Sequence, residues 1–114
     1  MKGVIVFIVL ITCLGCHSAE STIPADLIAE KQMIEIWVDM HVADAVVDQK
    51  HGADHPNLAL TKALYKRIYQ IHHISAEQYK NSYKYYETQP AIMDKLYDQV
   101  LAELSKKQAV ISKK

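Results

Sequence analysis

Three groups of side chains in this sequence have types and spacings that could do chemistry. The first is Asp39-x-His41-x-x-Asp44, with Asp48 one turn further on. On an α-helix each residue advances by about 100°, so His41, Asp44 and Asp48 fall within about 60° of one another, while Asp39 lies roughly 160° from His41. His41 and Asp44 are therefore spaced for an intrahelical hydrogen bond or for half of a metal site, and Asp39 cannot join them. Zinc takes three or more protein ligands, and the others would have to come from His51, His55, His72 or His73. The expected outcome is a polar pair satisfying itself at the edge of an apolar helix, with no metal and no other cofactor.

The second group is Asp48, His51, Asp54 and His55, around a segment that also holds Gly52, Pro56 and Asn57. Such a loop preorganises ligands poorly. His72-His73 fits a helix C-terminus, where cations are favourable. No serine sits in a nucleophile elbow and no glycine-rich loop could cradle a phosphate, so no enzymatic activity is expected.

The third group is Cys13-Leu14-Gly15-Cys16. A C-x-x-C pair does redox or metal chemistry only in a folded context with further ligands. Here it closes an apolar run, Gly3 to Thr12, that follows Lys2. Ten residues are too few to cross a bilayer as a helix, which needs roughly 20, but they suit the core of a secretory signal. The junction resembles a lipobox, with Gly15 as the small residue before the lipidated Cys16. Cys13 stands where an aliphatic residue is usual and is the alternative acylation site. Residues 1–15 are then a signal peptide, and 16–23 the lipidated cysteine with a short tether. Two or three acyl chains hold a small domain on a membrane nearly irreversibly, so the membrane is the first expected partner.

The elements that must position the remaining groups are helical. Pro24 to Ile28 suits one turn. From Lys31 to Gln49 apolar residues recur at helical spacing, with Met33, Ile36, Trp37, Met40, Ala43 and Val47 on one face. A second helix is expected from Leu58 to His73. Ser75 and Gln78 have the spacing of a capping box for a third, with Ile74 and Tyr79 as its hydrophobic staple. Gln89-Pro90 ends that helix, and a fourth carries Ile92, Met93, Leu96, Tyr97, Val100, Leu101 and Leu104. Lys106 to Lys114 reads as a basic tail that frays. The fold class is all-α, a small bundle of about four helices over residues 24–105.

Formal charge is balanced, 13 bases against 13 acids. Nucleic-acid binders carry a basic excess on one face, so no nucleic-acid partner is expected. All seven tyrosines lie between Tyr65 and Tyr97, and eight of the acids between Glu20 and Asp54. Asp39, His41, Asp44 and Asp48, with Tyr79, Tyr83 and Tyr86, form the candidate interaction face for an envelope protein.

Ile23-Pro24, Met33-Ile34, Asp39-x-His41-x-Ala43-Asp44-Ala45, Ile74-Ser75 with Gln78-Tyr79, Ser82, Tyr85-Tyr86, Pro90 and Tyr97-x-x-Val100 together resemble one family. It is the domain-of-unknown-function family 4296, small lipoproteins of the Bacteroidetes group. The resemblance implies a helical domain, a lipid anchor and no established activity. It marks Asp39, His41 and Asp44 as motif positions and points to the outer membrane. Only Glu20 is acidic between His17 and Thr22, which favours the periplasmic face. The expected role is a non-catalytic interaction or accessory module. A chaperone-like folding helper is the alternative, and a metal-binding or sensing protein the third.

Overall fold

Ile28 is 1 % exposed, and both polar groups of its backbone are taken by side chains 54 and 58 residues away. Its N–H donates to Ser82 Oγ at 3.0 Å, and its carbonyl accepts from the Tyr86 hydroxyl at 2.6 Å. A buried, unpaired peptide group would be costly, so these two bonds are what allow a non-helical segment to lie in the core. The computed structural model describes residues 22–52, 54, 55 and 57–113. The expected signal peptide, Cys16 and the tether up to residue 21 lie outside the described residues.

Among the described residues there are four α-helices and no strand: α1 Glu30–His51, α2 Leu58–Ile71, α3 Ala76–Glu87 and α4 Pro90–Ser112. The fold is the expected all-α bundle. Helix α1 buries Met33, Ile34, Ile36, Trp37, Val38, Met40, Ala43 and Val47. That face is wide because α1 packs against both α2 and α4. Its N-cap, Ala29, has no side-chain bond, so the Ile28 contacts do the anchoring. At the other end Gly52 adopts φ 76, a backbone region that glycine enters without steric penalty.

Helix α2 starts where Asn57 caps the Leu60 N–H at 3.0 Å. It ends two residues before the expected His73, because His73 turns to φ 54 and the chain closes with Ile74 N–H on the Tyr69 carbonyl at 3.0 Å. Ser75 caps α3 through the Gln78 N–H at 3.0 Å. Only half of the capping box forms, however: the Gln78 amide donates to the Asp26 carbonyl and so secures the segment before α1.

Pro90 opens α4 at a position where its missing N–H is not needed. The tail expected to fray from Lys106 onward is helical to Ser112, a correction to the sequence reading. Glu103–Lys106 at 2.7 Å, Asp39–Lys107 at 3.8 Å and Ser112 Oγ on the Gln108 carbonyl support those turns.

The pairs Glu30–Lys95 and Asp39–Lys107 show that α1 and α4 run parallel. Asp39–His72 and Asp44–Tyr65 set α2 antiparallel to α1, and Trp37–Tyr79 and Ile28–Tyr86 do the same for α3. Leu96 and Val100 of α4 close the core against Met33 and Ile36, all fully buried.

Candidate functional site

A groove of about 640 Å³ lies between the first half of α1 and the second half of α4. Ile34, Val38 and Ala102 give it apolar surface, and Lys31, Glu35, Glu103 and Lys106 give it charge of both signs. Asp39 stands at its edge. One carboxylate oxygen meets His72 Nε2 at 2.8 Å, and the other lies 3.8 Å from Lys107 Nζ. The His72 carbonyl accepts from the Gln32 amide at 2.9 Å. The C-terminus of α2 is thus tied to α1 twice, by backbone and by ring, and α4 joins through Lys107. A His–Asp pair can move protons for a nucleophile, but among the described residues no serine, threonine or cysteine lines this groove.

Asp44 does not pair with His41 as expected. Both of its carboxylate oxygens accept from the Tyr65 hydroxyl, at 3.0 and 3.1 Å. The phenol offers burial and a bond across helices, whereas His41 points into solvent and makes no hydrogen bond or ion pair among the described residues. Burial, and then the bond to Asp44, push Tyr65 up to about 12. Asp48 is exposed. The stripe His41, Asp44, Asp48 is geometrically present, yet only Asp44 is committed to the fold.

The tyrosines build something larger than a contact patch. Tyr69 meets Tyr79 at 5.5 Å between ring centroids, and Tyr79 meets Tyr83 at 6.1 Å. Tyr83 is edge-on to Trp37 at 6.1 Å, and Trp37 stacks on Tyr97 at 5.0 Å. This ladder joins all four helices. Trp37 Nε1–H donates to the Tyr79 hydroxyl at 3.1 Å. Burial raises Tyr79 to about 12, against the lowering effect of that bond, and burial also raises Tyr69 and Tyr83. Tyr79 and Tyr83 keep partly exposed edges. Tyr86, expected on the same face, is 2 % exposed. It belongs to the core, because its hydroxyl is needed at the Ile28 carbonyl; this corrects its assignment to the contact face.

The candidate interaction residues therefore do not share one surface. Asp39 edges the groove, Asp44 joins α1 to α2, and Tyr79 and Tyr83 belong to the ladder. Local spacing in the sequence does not mark His72, Gln32 and Lys107 as a site, since nothing in it joins residues on three helices. In the loop, His51 Nε2 lies 3.4 Å from the Asn57 amide. Among the described residues no three of His, Cys, Asp and Glu converge where they could hold a metal ion, and no helix is long and apolar enough to cross a membrane.

Residues 24–110 match the family described as domain of unknown function (DUF4296), and the chain belongs to that family. Neither a curated protein nor a solved structure matches it.

Proposed function

We propose that this member of the unknown-function family is a lipid-anchored, non-catalytic accessory module on the periplasmic side of the outer membrane. It contacts another envelope protein through the groove between α1 and α4. One observation carries the interaction role. The ionisable groups that looked chemical, Asp39, His72 and Asp44, each hold one helix to another, and the concavity beside them has apolar surface and walls of both signs. Such a surface suits a polypeptide partner better than a small charged substrate, which would favour a wall of one sign. The anchor rests on Lys2, the apolar run and Gly15-Cys16, followed within a few residues by the folded domain.

The same groove supports a second reading, an envelope folding helper. Its apolar surface and walls of both signs suit peptide segments of varied sequence. A photo-crosslinking residue placed at Glu35, followed by affinity capture and mass spectrometry, tests both. One dominant partner supports the accessory module, and a broad spread of unfolded envelope proteins supports the folding helper. A groove that captures nothing, while a label at Tyr83 captures a protein, would overturn the groove as the contact surface in both readings.

A further inference from the structure

The described chain begins beside one end of the bundle. Thr22, Ile23 and Pro24 line a shallow hollow together with Asn81, Lys84, Tyr85 and Thr88, along the C-terminal half of α3. Because α3 is antiparallel to α1 and α4, the N-termini of α1 and α4 share that end, and both helices lead away from it. With 22 residues, α1 carries its far end about 33 Å off, at ~1.5 Å per residue.

We infer that the domain stands end-on on a phospholipid bilayer, with Ile23 and Tyr85 seated in the headgroup layer and the C-terminal ends of α1 and α4 pointing away. The inference rests on acylation of Cys16, as in the proposed function. Acyl chains on Cys16 lie in the membrane, and only the residues between it and Thr22 separate the lipid from the bundle. At ~3.5 Å per residue that tether reaches about 21 Å, less than the length of α1. The end holding Ile23 is therefore always within reach of the surface.

The residues at that end suit an interface. Ile23 is an aliphatic side chain left 66 % exposed. Tyr85 beside it is partly exposed, with an apolar body and a polar tip of the kind that settles at headgroup level. Lys80 and Lys84 are exposed on the same helix and long enough to extend to lipid phosphates. Glu87, exposed at this end, offsets part of their charge, so the contact does not depend on a basic patch. Alone it would be too small to bind a membrane. The anchor makes it intramolecular, and a high effective concentration lets a weak contact be occupied.

The test uses the full chain, expressed so that it is exported and acylated, then reconstituted into vesicles of phosphatidylethanolamine and phosphatidylglycerol. With Cys13 removed and Cys16 acylated, an introduced cysteine is the sole free thiol. Bimane is attached in turn to Ile23→Cys, Lys84→Cys, Leu58→Cys and Ile111→Cys, and quenched by headgroup-level nitroxide lipid. The proposal expects quenching several-fold stronger at positions 23 and 84 than at 58 and 111, and a several-fold loss at position 84 when Ile23→Asp is added. Equal, weak quenching at all four sites, with Cys16 shown by mass spectrometry to be acylated, overturns the orientation and leaves the anchor standing. An unacylated Cys16, or protein that fails to float with vesicles, overturns the anchor reading and the orientation together.

Discussion

The carboxylate of Asp39 and the ring of His72 meet at 2.8 Å across 33 residues of chain. Lys107 approaches the other carboxylate oxygen from a third helix. Asp39→Ala is expected to cost about 1 kcal/mol, the scale of a partly exposed, charge-assisted hydrogen bond. His72→Ala should cost a similar amount, and the double variant less than the sum of the two. Urea unfolding of the three proteins measures this; strict additivity would show that the two side chains are not coupled.

Lys107→Ala tests how the last turns of α4 are held. Amide exchange should quicken from about residue 105 to Ser112 and stay unchanged in α1. The ion pair is long and exposed at 3.8 Å, so little change in global stability is expected.

Ser82→Ala and Tyr86→Phe each leave one backbone group of Ile28 buried without its partner. A loss of about 1–3 kcal/mol is expected for each, seen as a lower urea midpoint at unchanged slope. If Tyr86→Phe proved neutral, the 2.6 Å bond would not be anchoring the segment before α1.

Burial raises both Tyr65 and Tyr79 to about 12 from an ordinary 10. In the unfolded chain these phenols ionise near 10, so above that pH unfolding releases protons that the folded state still holds. Stability is therefore full below pH 10 and falls as pH rises toward 12. Tyr65→Phe should flatten that decline, as measured by thermal midpoints between pH 9 and 12.

His73 holds φ 54, a left-handed conformation that is strained for residues other than glycine. His73→Gly is expected to stabilise the domain by up to about 1 kcal/mol, read as a raised thermal midpoint. A lowered midpoint would mean that the His73 side chain makes a contribution exceeding the backbone strain.

Helix identity was legible because it is local. The 3-4 spacing of Met33, Ile36, Trp37 and Met40 marked α1, and Ser75 with Gln78 marked the start of α3, a bond that forms at 3.0 Å. The candidate site was much less legible. The spacing of His41 and Asp44 promised a pair, yet Asp44 is met by Tyr65, whose proximity depends on how α2 crosses α1. Tyr86 looked like its neighbours Tyr79 and Tyr83 by helical position; its burial follows from a backbone carbonyl 58 residues earlier. By sequence position His72 only closes a helix; its link to Asp39 follows from the three-dimensional register. The helical end of α4 was missed for the same reason: Lys107 finds its acid on another element.

The two bonds at Ile28 also have a mechanical consequence. A pull applied at Thr22, such as drag on a tethered domain would produce, reaches Ser82 and Tyr86 of α3 before it reaches the first turn of α1. The load is shared between the donor and the acceptor of one residue, on the two peptide units that flank its Cα, and spreads into the middle of the bundle. Helix α1, which carries the groove and the Asp39 tie, is thereby shielded from tension applied at Thr22.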